Sequence, residues 1–282
     1  MSEVRERPFE AGGIRTVLAE SGPQDASEAV VYVHGNPGSA RDWHDLMGRT
    51  GDFARSVALD MPGFGRADKP RDLALPVEGP ARFLDAALSG LGVERAHLVL
   101  HDFGGPWGLA WAAAHQDAFA SVVLMDTGVL IGFEMHRMGR IWARPVLGEL
   151  AMAATTRRGF TKALAGGPGR PLPPEYVDQM YDTYDRDTRR IVLGLYRNRT
   201  DDDLLRAVAA MFKPLDRPAL VLWGGKDVFV PVHHAEQQKE VAFPSARVVV
   251  LEDSGHWLFA DDPEGTAAEV VPFLREQLSP AG

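Results

Sequence analysis

Short runs of valine, isoleucine and leucine recur along the chain, and several of them are apolar at every position instead of at alternate positions. A strand with this pattern is buried on both faces, which is typical of a parallel sheet covered by helices. The predicted strands are Ile14–Ala19, Ala29–Val33, Ser56–Leu59, Ala96–Leu100, Ala120–Met125, Ala219–Trp223 and Arg247–Leu251. Because the first two are close in sequence, we expect them to pair with each other as an antiparallel hairpin.

Helical patterns fall between the predicted strands. Residues 80–91 carry apolar side chains at helical spacing, and residues 106–115 are rich in alanine, leucine and tryptophan. This alternation predicts an α/β fold with a mostly parallel central sheet flanked by helices. The alternation stops between residues 127 and 213, where the composition favours helices and four tyrosines occur. We therefore predict a core formed by residues 1–126 and 214–282, with an inserted helical cap at 127–213.

The amino-acid composition limits the functions that are possible for the chain. Its 282 residues, 45% of them apolar, are enough for one large core with an insertion. The formal net charge of −9 argues against a nucleic-acid or an anionic-membrane partner. The lack of cysteine excludes disulfides, thiolate metal sites and a cysteine nucleophile. The charged start has no signal-peptide pattern and no run of 18 uncharged apolar residues occurs, so a soluble cytoplasmic protein is expected.

The most informative motif is His-Asp-Phe-Gly-Gly at positions 101–105, directly after the predicted strand Ala96–Leu100. A strand that stops at a carboxylate and turns at once through two glycines predicts a tight strand-to-helix turn, which lifts one side chain above the sheet edge. The lifted residue is Asp102. A carboxylate nucleophile forms an ester at an sp3 carbon more usefully than it attacks a carbonyl carbon. The motif therefore favours ring opening or displacement at carbon.

Three other strand ends supply candidate partners, since the carboxyl ends of parallel strands meet at one edge of the sheet. A Gly-Asn-Pro-Gly turn after the second predicted strand is able to aim the backbone N–H of Asn36 inward, where it would form an oxyanion hole with the N–H of Phe103. The last two predicted strands are followed by Asp227 and His256. The order nucleophile, acid, histidine predicts a triad in which Asp227 orients His256 as a general base.

Together these motifs resemble the α/β-hydrolase superfamily, and more narrowly its aspartate-nucleophile branch, the epoxide hydrolases and haloalkane dehalogenases. The resemblance rests on His-Gly-Asn-Pro at 34–37, Asp-Met-Pro-Gly-Phe-Gly at 60–65 with Asp-Lys-Pro at 68–70, the motif at 101–105, Trp-Gly-Gly-Lys-Asp at 223–227 and Gly-His at 255–256. It implies this fold, this triad and a reaction that needs no metal or organic cofactor. Leu100 departs from the pattern, because the position two before the nucleophile is usually small.

The resemblance leaves two kinds of leaving group open, and the cap bears on the choice. Epoxide hydrolases protonate the departing oxygen with cap tyrosines, and Tyr196 has a position similar to one of them. The family usually has a second tyrosine near the start of the cap, but none occurs between Asp102 and Tyr176. His136, Trp142 or Tyr176 would take its place at the substrate, or one donor suffices.

Haloalkane dehalogenases instead hold the departing halide with N–H groups, often from an asparagine after His-Gly and a tryptophan after the nucleophile. Asn36 matches the first of these, whereas Phe103 does not match the second, because a phenyl ring has no N–H. Some dehalogenases take the triad acid from the end of the strand before the cap. That makes Asp126 the alternative to Asp227.

We therefore expect a cofactor-independent hydrolase, foremost an epoxide hydrolase that makes a vicinal diol through a covalent ester on Asp102. A haloalkane or haloacid dehalogenase with the same triad is the alternative, and a non-catalytic binding protein on the same scaffold is a further one. The expected partners are a small electrophile and water. The neighbouring His233 and His234 make a poor metal pair, and the lack of a Gly-x-Ser-x-Gly motif excludes a serine triad.

Overall fold

The computed structural model describes residues 1–165, 168–198 and 200–278, and these form an eight-stranded sheet covered by helices. The strands are β1 (Arg5–Ala11), β2 (Ile14–Ser21), β3 (Glu28–Val33), β4 (Arg55–Leu59), β5 (Arg95–His101), β6 (Phe119–Met125), β7 (Ala219–Gly224) and β8 (Arg247–Leu251). Their order across the sheet is β1-β2-β4-β3-β5-β6-β7-β8. From β4 onward all neighbours are parallel, whereas β2 is antiparallel to both β1 and β4. The predicted α/β fold is confirmed.

The expected hairpin between the first two predicted strands is wrong. β2 pairs with β1 through a tight turn at Gly12 and Gly13, whose φ angles of 56° and 76° are both in the left-handed region. The other edge of β2 pairs with β4, where Leu18 lies opposite Leu59. β3 therefore lies inside the sheet, between β4 and β5.

Strand β1 has no counterpart among the predicted strands, and its sequence explains why. It reads Arg-Glu-Arg-Pro-Phe-Glu-Ala, and its first four residues are exposed. An edge strand with one free side and charged residues lacks the apolar signal that marks a buried strand. By contrast, every residue of β4, β6 and β7 is buried, as expected for parallel strands that are covered on both faces.

Helices cover both faces of the sheet and carry the connections between its parallel strands. The helices outside the β6–β7 connection are α1 (His44–Thr50), α2 (Glu78–Gly90), α3 (Gly104–Ala114), α10 (His233–Val241), α11 (Leu258–Asp261) and α12 (Pro263–Leu278), with a short 3-10 helix at Ala40–Trp43. Among the described residues, no helix combines the length and the apolar character needed to cross a membrane.

In the described part of the chain, six helices lie between β6 and β7, where the sequence predicts the inserted cap. They are α4 (Arg137–Trp142), α5 (Leu147–Ala153), α6 (Arg157–Ala165), α7 (Pro174–Asp182), α8 (Arg186–Arg197) and α9 (Asp202–Phe212). Phe212, at the end of α9, packs edge-to-face against Phe119 of the sheet. The boundaries 1–126, 127–213 and 214–282 stay predictions, and residues 166, 167, 199 and 279–282 within them lie outside the described part of the chain.

Candidate active site

The strand-to-helix turn after β5 places Asp102 at the edge of the sheet. Its φ of 49° lies in the left-handed region, which costs a non-glycine residue about 1–2 kcal/mol. Two hydrogen bonds to its carbonyl oxygen hold this conformation, one from the Thr127 hydroxyl at 2.6 Å and one from the Gly105 N–H at 3.0 Å. Strain maintained in this way at the mouth of a cavity is typical of functional sites.

Leu100, the departure from the expected small residue, fits because α3 has a glycine opposite it. A Cβ added to Gly108 would come within 2.4 Å of the Leu100 Cδ2 atom. In other turns of this type, a small residue in the strand leaves the space that the turn needs. Here Gly108 in α3 leaves that space. The turn is thereby preserved with a leucine at position 100.

The two carboxylate oxygens of Asp102 have different surroundings. Oδ1 accepts a hydrogen bond from the backbone N–H of Asn36 at 2.7 Å, and Oδ2 lies 3.6 Å from Nε2 of His256. Burial opposes ionisation of Asp102, but the contact with His256 outweighs it and lowers the pKa of the carboxyl below its usual value. Asp102 is therefore ionised at neutral pH, with Oδ2 left as the freer oxygen.

His256 is held by Asp227 on the side away from Asp102. Its Nδ1 lies 2.7 Å from Oδ2 of Asp227, so the Nδ1 proton points at that carboxylate. Oδ1 of Asp227 accepts the backbone N–H groups of Phe229 and Val230 at 2.6 and 3.0 Å. Burial alone would lower the pKa of His256, but the charges of Asp227 and Asp102 raise it well above its ordinary value.

Asp126 lies behind this pair, at the end of β6. Its φ is 48°, and its Oδ1 accepts the Gly224 N–H at 2.9 Å. Burial, followed by the nearby charge of Asp227, raises the pKa of Asp126 well above its ordinary value. The structure therefore puts the carboxylate of Asp227 on Nδ1 of His256, and puts a buried carboxyl with a raised pKa at the alternative position.

His101, to which the sequence motif assigns no role of its own, supports His256 from below. Its Nε2 lies 2.8 Å from the backbone carbonyl oxygen of His256, and the two ring centroids are 4.6 Å apart. Burial lowers the pKa of His101 to about 3, so the ring is neutral and its Nε2–H donates to that carbonyl. Its position next to Asp102 in the sequence is the signal that could have identified it.

One cluster in the described residues has the spacing of a metal site. A ligand atom from each of His101, Asp126 and His256 lies within 4.8 Å of the others. All three side chains are buried, and the cluster coincides with the histidine that faces Asp102. Its donors are thus already part of the hydrogen-bonded arrangement just described.

The cap side of the site consists of Tyr196 in α8 and of two residues in and before α4. The Tyr196 hydroxyl lies 3.0 Å from Nε2 of His136, and its ring lies edge-on to Trp142 at 5.0 Å. The Tyr196 ring also packs edge-to-face on Phe103, with centroids 5.6 Å apart. Burial raises the pKa of Tyr196 well above its ordinary value and lowers that of His136, so both side chains are neutral.

A largely apolar cavity of about 770 Å³ lies between the two sides. Of the residues singled out from the sequence, those that line it are Asn36, Asp102, Phe103, Asp126, His136, Trp142, Tyr196 and His256. Asp227 lies behind His256. Tyr176 is not brought to the site, because its ring packs on Phe259 and its hydroxyl is buried beside Asp42.

Phe229, which none of the sequence motifs includes, connects the two sides. Its N–H binds Asp227, while its ring lies 5.2 Å from that of His256 and 5.1 Å from that of His136. Only its place two residues after Asp227 could have drawn attention to it.

Comparison with known proteins agrees with this architecture. A family model described as alpha/beta hydrolase fold matches residues 28–263. The cis-3-alkyl-4-alkyloxetan-2-one decarboxylase of Xanthomonas campestris pv. campestris is 28% identical over 93% of each chain. Epoxide hydrolase 3 of Xenopus tropicalis is 23% identical over 94% of this chain and 76% of that protein. The solved structure of the haloalkane dehalogenase DbeA from Bradyrhizobium elkani superposes with a TM-score of 0.85 at 23% identity, covering 98% of this chain and 99% of that chain.

Proposed function

The chain belongs to the alpha/beta hydrolase fold family and is an enzyme, and from this premise we propose that it opens epoxides to vicinal diols through a covalent ester on Asp102. The observation that carries the proposal is the ionised Asp102 carboxylate, which has Oδ2 toward His256 and Oδ1 on the Asn36 N–H. A phenol, that of Tyr196, lines the same cavity.

In the first step, Oδ2 of Asp102 attacks an sp3 ring carbon and the carbon–oxygen bond of the ring breaks. The departing oxygen takes the proton of Tyr196, which is neutral at the start because burial raises the pKa of its phenol. Oδ1 becomes the carbonyl oxygen of the ester and already accepts the Asn36 N–H. Binding and alignment between core and cap bring the reacting atoms together.

In the second step, the ester no longer carries the Asp102 charge that helps to raise the pKa of His256 in the free enzyme, so the neutral imidazole is able to act as a base. His256 removes a proton from water, and the water oxygen attacks the ester carbonyl carbon. The developing oxyanion on Oδ1 keeps the hydrogen bond from the Asn36 N–H, the backbone N–H of Phe103 is the proposed second donor, and Asp227 stabilises the imidazolium. The bond from the carbonyl carbon to the alkyl oxygen breaks, and that oxygen takes the proton from His256. The second proton of water passes through the site to restore Tyr196, so the diol and the starting enzyme balance.

The cap favours an oxygen leaving group over a halide. The phenol of Tyr196 supplies a proton, which a departing alkoxide needs and a departing halide does not. The residue after the nucleophile is Phe103, which has no side-chain N–H to hold a halide. The apolar lining of the cavity suits an epoxide with hydrocarbon substituents.

Sequence similarity supports a second candidate, an oxetan-2-one. The relative named for acting on a cis-3-alkyl-4-alkyloxetan-2-one matches over 93% of both chains. Like an epoxide, this ring is strained and has an sp3 carbon bonded to an oxygen leaving group. Attack by Asp102 at that carbon would break the ring carbon–oxygen bond and leave a carboxylate on the neighbouring carbon, which needs no proton from Tyr196. Cleavage of the carbon–carboxylate bond would then release carbon dioxide, form an alkene and return the Asp102 carboxylate as the leaving group. The two substrates therefore differ in their need for the phenol.

The test is to trap the ester. The His256→Gln variant, incubated with styrene oxide, is expected to gain the mass of one epoxide, because glutamine cannot activate water. Peptide mapping should place the added mass on Asp102. The double variant His256→Gln/Asp102→Ala is the matched control, and it should gain no mass.

Three substrates separate the candidates for the wild-type enzyme: styrene oxide, 1-bromobutane and a cis-3,4-dialkyloxetan-2-one. Diol formation supports the proposal. Release of bromide without diol would instead indicate a dehalogenase. Release of carbon dioxide without diol would indicate an enzyme that acts on oxetan-2-ones. If none of the three substrates is turned over and none labels His256→Gln, the proposed chemistry is wrong and a binding protein is favoured.

A further inference from the structure

We propose that His136 is a positioning residue, which donates a hydrogen bond from Nε2 to the Tyr196 oxygen and so directs the phenol proton toward the substrate. The inference rests on the proposed function, because it concerns how the phenol protonates the departing oxygen. Two hydrogen bonds of the His136 imidazole determine which of its nitrogens carries the proton.

The first hydrogen bond fixes the Nδ1 atom. His136 is the N-cap of α4, and its Nδ1 accepts the backbone N–H of Gly139 at 3.2 Å. A backbone N–H is only a donor, so Nδ1 carries no proton. A neutral imidazole with a bare Nδ1 has its proton on Nε2. His136 is neutral, because burial lowers its pKa.

The second hydrogen bond then has only one direction. Nε2 of His136 and the hydroxyl oxygen of Tyr196 are 3.0 Å apart. Because the proton is on Nε2, His136 donates and the phenol oxygen accepts. The single proton of Tyr196 is therefore left for another acceptor, and the ring lines the cavity that Asp102 also lines.

Aromatic packing keeps the imidazole in this orientation. The rings of Trp142, Tyr196 and Phe229 all stand nearly perpendicular to the His136 ring, with centroids 5.9, 5.5 and 5.1 Å away. The ring is thus fixed by its helix cap at one nitrogen and by three edge contacts around it. Phe229 also contacts His256, so the same packing aligns the phenol with the triad.

The consequence for ring opening follows from charge. When the Tyr196 oxygen–hydrogen bond breaks, its proton goes to the departing oxygen and a phenolate forms. A hydrogen bond from Nε2–H of His136 to that phenolate is stronger than the bond to the neutral phenol. The interaction therefore strengthens in the transition state, which is the condition for it to raise the rate.

Two variants separate this function from helix capping. His136→Asn keeps an oxygen that is able to cap α4 but is too short to reach Tyr196, and His136→Gln keeps a longer N–H donor. We expect ester formation from styrene oxide, measured in a single turnover, to fall about 10- to 100-fold in His136→Asn, as loss of a hydrogen bond to a charged group predicts. His136→Gln should recover part of this loss. Equal losses in both variants would overturn the proposal.

A double-mutant cycle tests whether His136 acts through Tyr196. In a Tyr196→Phe background, His136→Asn should cause no further loss, because the phenol oxygen that it contacts is gone. A further loss of the same size would mean that His136 acts on the site by another route. Circular dichroism and thermal unfolding of each variant check that the fold is kept.

A last measurement does not depend on turnover. Imidazole ¹⁵N NMR of wild-type protein should show His136 with the proton on Nε2, and its N–H signal should shift in Tyr196→Phe. A proton on Nδ1 would contradict the inference even if epoxides are hydrolysed. The expected spectrum together with no activity on any epoxide would leave the hydrogen bond in place and reject the proposed function.

Discussion

The two sides of the cavity are built on different principles. On the core side, Asp102, Asp227 and His256 each follow a strand, and backbone N–H groups or one another hold their side chains. On the cap side, Tyr196 lies in α8, His136 is the N-cap of α4, and a hydrogen bond joins the two side chains. In the core, backbone N–H groups hold the charged carboxylates in place. In the cap, contacts between side chains hold a neutral phenol in place.

This difference predicts how much a substitution on each side of the cavity lowers the rates of the two chemical steps. In the proposed mechanism the core acts in both chemical steps, since Asp102 forms the ester and His256 with Asp227 cleaves it. The phenol of the cap acts in the first step, when the ring oxygen departs. Variants of the core should therefore have large effects, on ester formation for Asp102 and on ester hydrolysis for His256 and Asp227, and variants of the cap should slow ester formation selectively.

Removal of the proposed nucleophile tests the core side most severely. Asp102→Ala is expected to lower kcat/KM for an epoxide by at least about 10⁴-fold, because covalent catalysis is lost entirely. Single-turnover assays with styrene oxide would measure it, with circular dichroism as the control for folding. Activity within tenfold of wild type would show that another residue is the nucleophile.

Loss of the acid's charge should come next. Asp227→Asn is expected to lower turnover by about 10³- to 10⁴-fold, because an amide presents its N–H or a weaker acceptor to His256 and disturbs the Nδ1–H tautomer. Rates of ester hydrolysis, followed in a rapid-quench experiment, are the measurement. A loss smaller than that of Asp126→Asn would reverse the assignment of the two acids.

On the cap side, Tyr196→Phe is expected to slow ester formation from an epoxide by about 10²- to 10³-fold, as removal of a general acid predicts. Hydrolysis of a preformed ester should change little, because the phenol is not the base for water. The two rates are separable in one pre-steady-state experiment. Equal losses in both steps would place Tyr196 in the packing of the site instead of in proton transfer.

The core and the cap also differ in how much of their structure is predictable from the sequence. The strands that carry Asp102 and Asp227 are continuous apolar runs, and parallel strands bring their ends to one sheet edge whatever the side-chain details. The sequence therefore predicts that Asp102, Asp227 and His256 meet at one edge of the sheet, and the structure brings these three side chains together there. Strand β1 and the pairing of β2 are not, because an exposed, charged edge strand leaves no apolar pattern.

The cap is less readable because its side chains are placed by helix packing. The sequence offers His136, Trp142 and Tyr176 as equivalent partners for Tyr196. Packing places His136 on the phenol oxygen, places Trp142 beside the ring, and leaves Tyr176 outside the cavity lining of the described residues. Neither composition nor spacing distinguishes these outcomes, since each depends on the angles between helices.

The smallest effect on activity is expected for Asp126, the buried carboxyl at the alternative acid position. Asp126→Asn keeps the oxygen that accepts the Gly224 N–H and resembles the protonated side chain in shape and charge. Because burial raises the pKa of Asp126 well above its ordinary value, we expect the wild-type side chain to be uncharged at neutral pH. The kcat/KM of the variant should therefore stay within about threefold of wild type, a difference of less than about 1 kcal/mol.

The raised pKa of Asp126 predicts how the free energy of unfolding changes with pH. Between the unfolded pKa of Asp126 and its higher folded value, the folded state binds the proton more tightly, so wild-type stability falls as pH rises. The amide introduced by Asp126→Asn cannot titrate, so the variant escapes this loss. Its free energy of unfolding should gain on wild type by up to about 1.4 kcal/mol per pH unit as the pH rises through that interval. Urea unfolding at several pH values measures the difference, and a gain of wild type over the variant on raising the pH would show that Asp126 is ionised in the folded protein.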